Sequence, residues 1–276
     1  MMGRSKKFYS PRRAGLFNIS MTNKIVAANI IAFFIFLVII SLNSSLADYI
    51  FLKPSLILKA KSLWTIITSM FMHAGLLHLF VNMFSLFFIG NFLEKIIGRK
   101  RFFWLYILSG ILGGIFFVLS ALIFQNTEIS GVGASGALFG LLGVLAVLVP
   151  NSKIYLIAGP LIVIVIQAVA QALVPSSLAS TVLGPINIIA NILIIIMIFA
   201  IFSFNLRIRK ISVPLELPMW LLPIVAIVPL SVIALFIDLP IGNSAHVGGL
   251  VAGLLYGFYL RYKYKRKVKL LNRYFR

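Results

Sequence analysis

The chain holds only three histidines, His73, His78 and His246, and no cysteine. His73 and His78 lie in FMHAGLLHLFVNMF, where His78 and Asn82 stand four apart and share one face of a helix. Ser135 lies in GVGASGALFG, an irregular glycine-rich stretch that runs into an apolar segment. His246 opens another apolar segment, in GNSAHVGGLVAGLLYG. A serine hydroxyl is a poor nucleophile until a base takes its proton, and His246 is the base these segments offer. No aspartate or glutamate falls inside an apolar segment near it, which argues for a Ser–His dyad rather than a triad. Attack on a carbonyl builds negative charge on oxygen, and that charge needs donors already in place. Asn82 offers an amide, His78 a ring N–H, and Ser135 its own backbone N–H at a helix N-terminus, with Gly133 freeing the backbone just before it. The reaction class that uses all of these parts is acyl transfer to water, meaning peptide hydrolysis. Without cysteine there are no thiolate nucleophiles and no disulfides. Three imidazoles can bind zinc, but no carboxylate accompanies them and His78-x-x-x-Asn82 is not a paired-histidine zinc helix, so no metal or other cofactor is expected.

The elements that must position these groups are membrane helices. Of 276 residues 61% are hydrophobic and 11% charged, with mean hydropathy +1.09. A water-facing surface needs about a quarter of its residues charged, so a soluble enzyme and a disordered chain are excluded, and long unbroken apolar runs exclude an alternating-strand barrel. Eight spans are read, roughly Ile25–Leu46, Leu77–Ile97, Phe102–Phe124, Ser135–Val149, Ile154–Val174, Val182–Phe204, Leu217–Ile237 and His246–Leu260. The first run is too long for the apolar region of a cleaved signal peptide. With the N-terminus inside, 22 of the 25 Lys and Arg fall on the cytoplasmic side, leaving only Lys53, Lys59 and Lys61 outside. Basic residues resist translocation, so both ends are expected in the cytoplasm; the membrane expected is that of a prokaryotic cell. The net charge of +20 then reports topology and contact with anionic lipid rather than nucleic-acid binding. Residues 1–24 read as a basic N-terminal segment, 25–262 as the membrane domain and 263–276 as a basic tail.

Depth follows from the rise of a helix. Counted back from the nearest cytoplasmic Lys or Arg at ~1.5 Å per residue, Ser135, His78, His246 and Asn82 lie about 27, 25, 22 and 20 Å away, at one level in the outer half of the bilayer. Span four carries Gly136, Gly140 and Gly143; span eight carries Gly249, Gly253 and Gly257 at every fourth position. Such spacing lets helix backbones approach closely in lipid, and a contact along these glycines sets His246 beside Ser135.

On these residues the chain resembles the rhomboid intramembrane serine proteases. The resemblance rests on His78-x-x-x-Asn82, on Gly133-Ala134-Ser135-Gly136 at the head of span four, and on His246 with its Gly249/Gly253/Gly257 ladder. It covers about residues 25–153 and 213–262. It implies a six-helix core, Ser135 as nucleophile, His246 as general base, and an oxyanion hole of His78, Asn82 and the Ser135 amide. It also implies that His73 supports the site and that Phe139 packs on the His246 ring. The substrates implied are transmembrane helices of other proteins, cut near the outer face. Two departures stand out. The family's Trp-Arg pair in the first outer loop is Trp64-Thr65 here, and two further spans, about 154–204, read as an inserted helical hairpin. Gln167, Gln171, Asn187 and Asn191 of that hairpin are expected to bond its two helices together; beside span seven, the pair would limit lateral entry of substrate. Rival readings are a catalytically inactive rhomboid-like scaffold that binds membrane proteins, and a transporter, although no charged groups interrupt the spans at mid-depth.

Overall fold

The computed structural model describes residues 19–233 and 242–274. Helix α1 (Met21–Leu42) starts at Ser20, whose hydroxyl accepts from the Asn23 amide at 3.1 Å. An anion completes that start: the buried Glu94 carboxylate accepts from the Met21 and Thr22 amides at 2.9 and 2.8 Å and from the Thr22 hydroxyl at 2.7 Å. A negative group at a helix N-terminus satisfies amides that have no partner within the helix. Glu94 belongs to α2 (Leu76–Ile97), which is α-helical to Ser85, widens into a π turn over Leu86–Gly90, and resumes at Asn91. One residue, Gly98, turns α2 into α3 (Arg99–Ile123); its φ of 84° is a conformation in which a Cβ is strained.

Helix α4 (Ser135–Leu148) is the centre of the bundle, with 11 of its 14 residues buried. A helix of that length rises only about 21 Å, short of the ~30 Å apolar layer. Its short span is tolerated because neighbouring helices, not lipid, enclose it. After α4 come strand β1 (Lys153–Ile157), helices α5 (Ala158–Leu173) and α6 (Ser176–Ala200), strand β2 (Pro214–Pro218), α7 (Leu222–Ile233), α8 (Asn243–Lys263) and α9 (Lys265–Tyr274). Four of the described helical segments, Met21–Leu42, Leu76–Ile97, Arg99–Ile123 and Thr181–Ala200, are long and apolar enough to cross a membrane. Their outward residues, such as Ile31, Phe34 and Val38 on α1, are exposed apolar side chains, the surface a lipid solvent requires. The chain is a polytopic, all-α membrane protein in which α3, α4 and α8 pack together as the core.

Three boundaries differ from those read in the sequence, the starts of spans five, seven and one. Residues Lys153–Ile157, expected inside or beside span five, pair antiparallel with Pro214–Pro218, where span seven was expected to begin. The pairing consumes backbone groups that a helix start would leave open, and the Lys153 ammonium meets Glu216 at 2.6 Å. That carboxylate holds the Lys153 amine above its ordinary value. The first helix also starts four residues earlier than expected, at Met21, because Ser20 and Glu94 cap it there. Residues 1–18 of the basic N-terminal segment, and the last four residues of span seven, lie outside the described residues.

The contact of α4 with α8 is backbone on backbone. A Cβ placed on Gly249 would collide with the Gly136 carbonyl, and one on Gly253 with the Gly140 carbonyl. From the other side, a Cβ on Gly143 would stand 2.8 Å from the Leu250 carbonyl oxygen. A backbone carbonyl cannot swing aside as a side chain can, so Gly253→Val is expected to destabilise the bundle by about 3 kcal/mol. A thermal or denaturant melt of the purified protein measures it; a melt equal to wild type would show that the helices separate at no cost.

Helices α5 and α6 are joined by three of the four amides read in the sequence: Gln167 Nε2 donates to Asn187 Oδ1 and Asn191 Oδ1, both at 3.2 Å, and Gln171 takes no part in these bonds. The C-terminal end of α6 and the turn after it rest on α2. Phe199 stacks on Phe80 at 5.8 Å, and Phe202 meets Phe84 at 6.0 Å and Phe88 at 5.6 Å. These rings stand four apart along α2, so one face of that helix presents a continuous aromatic stripe to α6.

Candidate active site

Ser135 is the first residue of α4 and His246 lies in the first turn of α8. The glycine contact below them brings these two helix heads together. His246 Nε2 lies 2.8 Å from Ser135 Oγ, a hydrogen bond between residues 111 positions apart. On the face of the imidazole lies Phe139, one turn after Ser135, with ring centroids 4.4 Å apart and planes at 24°. The stacked ring holds the imidazole edge toward the hydroxyl. The second ring nitrogen, His246 Nδ1, is buried and has no hydrogen-bond partner among the described residues.

Each described carboxylate is engaged elsewhere. Asp48 and Glu128 both approach Lys53, Glu94 caps α1, and Glu216 pairs with Lys153. Asp238 lies outside the described residues. The described geometry is therefore a serine and a histidine without a third, orienting acid.

His78 and Asn82 sit on α2, one turn apart, with Asn82 buried. His78 Nδ1 accepts from the Ala74 amide at 3.2 Å, which leaves the ring proton on Nε2. That Nε2 edge faces Gly133: a Cβ on Gly133 would stand 3.1 Å from Nε2 and 2.8 Å from Cε1. Gly133 also has φ 123°, so this position needs glycine both for its backbone and for its neighbour. Asn82 Nδ2 donates one hydrogen to the His78 carbonyl at 2.9 Å, and the amide keeps a second N–H. The Ser135 amide heads a helix, where N–H groups point outward without an intrahelical acceptor. His73 is buried behind this group, edge-on to His78 at 5.2 Å and to Phe33 at 6.2 Å. Gly136, Gly249 and Gly253 form the close contact beneath the pair.

The loops that hold the Ser135 turn in place leave no mark in residue type. Gly133 N donates to Ser69 O at 2.9 Å, and Leu52 and Gly131 exchange amide bonds at 3.1 and 2.8 Å. Lys53 reaches Glu128 at 3.0 Å; its hydrogen bond holds the Glu128 carboxyl below its ordinary value. The first loop is thus laced to the segment before the nucleophilic turn. Backbone pairing of this kind is carried by shape, and only the lone glycines hint at it. In that same loop Trp64 stacks on Tyr49 and donates to its carbonyl at 3.0 Å, while Thr65 bonds locally to Ser62.

What the arrangement can do chemically is transfer a proton from a hydroxyl to an imidazole while donors face the developing oxyanion. The Rhomboid domain profile matches residues 60–201 and 193–263. RHOMBOID-like protein 1 of Arabidopsis thaliana is 45% identical over 105 residues, 38% of this chain and 26% of that protein. A rhomboid chain of Bacillus subtilis (strain 168) is 41% identical over 81 residues, 29% of this chain and 39% of that one. Inactive RHOMBOID-like protein 8 of Arabidopsis thaliana is 39% identical over 94 residues, 34% of this chain and 25% of that protein. The matched stretches span well under half the length of these relatives.

Proposed function

The chain belongs to the rhomboid family, and we propose that it is an intramembrane serine endopeptidase that cuts transmembrane helices of other membrane proteins near the outer face. The observation that carries this reading is the 2.8 Å contact between Ser135 Oγ and His246 Nε2 at the heads of two packed helices. His246 takes the hydroxyl proton as Oγ attacks the scissile carbonyl, and returns it to the leaving amine. Water then attacks the acyl-enzyme by the same route in reverse. The oxyanion is held by the Ser135 amide, the His78 Nε2–H and the free N–H of Asn82. His73 and Phe139 support the two imidazoles, and Gly133, Gly136, Gly249 and Gly253 allow the backbones to close around the site. The reaction as written uses no metal or cofactor.

A helical peptide bond is shielded by its own hydrogen bonds, so the substrates are helices of weak propensity near the outer face, and the residues near the cut are small: Gly, Ser or Ala. The protein is an integral membrane protein. We assign it to a prokaryotic cell membrane, with the basic segment 1–24 and the tail 263–276 cytoplasmic, and the hairpin about 154–204 as an addition to a six-helix core within 25–262. The lipid bilayer and transmembrane substrates are its partners; nucleic acid is not.

A fluorophosphonate probe tests the reading. It should label the purified protein, and labelling should vanish in Ser135→Ala. The second reading, an inactive rhomboid-like scaffold, is favoured by the resemblance to a relative named as inactive. A folded wild type that takes no probe and cleaves no substrate would establish that reading instead.

A further inference from the structure

The opposite end of α4 and α8 carries a cluster of charge that peptide hydrolysis does not use. It lies about 20 Å from Ser135 and His246, the length of those two helices. There α9 packs against the foot of α4. Val268 is buried, Leu271 joins the core, and Asn272 Nδ2 donates to the Leu148 carbonyl at 2.9 Å, satisfying one of the open acceptors at the end of α4. Between α9, the end of α8 and the turn after α4 is a cavity of about 760 Å³. Arg261, Lys265, Lys269 and Arg273 all line it, at every fourth position along the chain. Two amides, Asn151 and Asn272, line it as well, and no carboxylate does.

Four like charges around one recess raise a strong positive potential that repels its own walls, and a bound anion relieves it. The described acids are engaged elsewhere, as set out above. The recess also borders apolar surface. Phe258 lines it and is exposed on α8, and Leu270 is exposed on α9. It stands at the end of apolar helices, where lipid head groups begin. We propose that this recess binds the head group of an anionic phospholipid, its phosphate held among Arg261, Lys265, Lys269 and Arg273 and its acyl chains lying against the exposed face of α8. Asn151 donates to the same oxygens, while both N–H groups of Asn272 are taken by the Leu148 and Val268 carbonyls and fix the wall of the recess. The apolar border separates this ligand from a free phosphate ion, which has no use for it.

Native mass spectrometry of the full chain, released from nanodiscs of phosphatidylcholine with and without phosphatidylglycerol, reads the occupancy. Wild type should retain phosphatidylglycerol in preference to phosphatidylcholine. Each neutralised cation near an anionic head group is worth about fivefold in binding, so Lys265→Gln/Lys269→Gln should weaken retention by roughly 25-fold. Lys59→Gln/Lys61→Gln, at the other end of the molecule, should leave it unchanged. Equal loss in both variants, or loss in neither, overturns the proposal. So does binding of inorganic phosphate to the protein in neutral detergent as tightly as phosphatidylglycerol. Circular dichroism and gel filtration check the fold; if the double variant fails them, Lys269→Gln alone, at an exposed position, should still lose about fivefold.

Discussion

Ser135→Ala is expected to lower cleavage of a test transmembrane substrate by roughly 10⁴–10⁶-fold, and His246→Ala by a similar factor. The two groups act as one device. Without the hydroxyl there is no nucleophile; without the imidazole, 2.8 Å away, the hydroxyl keeps its proton. Effects of such a unit do not add, so the double variant should be no slower than either single one. Both substitutions shorten side chains at helix heads and leave the glycine contact of α4 with α8 untouched, so thermal stability should change little. Single-turnover kinetics in liposomes, with melts of the same preparations, measures both quantities. Substantial cleavage by folded Ser135→Ala would end the serine mechanism, and a double variant much slower than both singles would show that the two residues act independently.

Asn82→Ala is expected to slow the reaction by roughly 10²–10³-fold, the usual worth of one oxyanion donor. The loss should fall on kcat, with KM little changed, because the charge that Asn82 stabilises exists only in the transition state. Asn82 is buried and bonded to the His78 carbonyl at 2.9 Å, so a purely structural role is the competing account. A structural role predicts a lower melting temperature and reduced fluorophosphonate labelling in proportion to the unfolded fraction. An unchanged kcat in a folded Asn82→Ala protein would remove Asn82 from the oxyanion hole.

Much of this molecule was legible before any coordinates. Apolar runs announce a helical membrane protein because lipid admits few alternatives: every backbone group must be satisfied within its own segment. The repeat of Gly249, Gly253 and Gly257 against Gly136, Gly140 and Gly143 announces a close helix pair for the same reason, since only small residues let two backbones touch. Other features were not legible. The ribbon of Lys153–Ile157 with Pro214–Pro218 joins segments more than fifty residues apart, and each strand read in isolation looks like the apolar start of a span. The seat of the end of α6 on Phe80, Phe84 and Phe88 was equally hidden, since an aromatic stripe suits lipid and protein alike.

By itself the sequence determined that the chain is a helical membrane protein and which residue types are on hand for chemistry, because composition and the length of apolar runs are local properties. Only the tertiary structure decided which ring edge meets the Ser135 hydroxyl, the 24° angle at which Phe139 stacks on the His246 ring, and that His78 turns its Nε2 toward Gly133. Those are matters of rotation about helix axes and of loop pairing between distant segments. They are settled by packing across the whole bundle, and no short stretch of sequence contains that information.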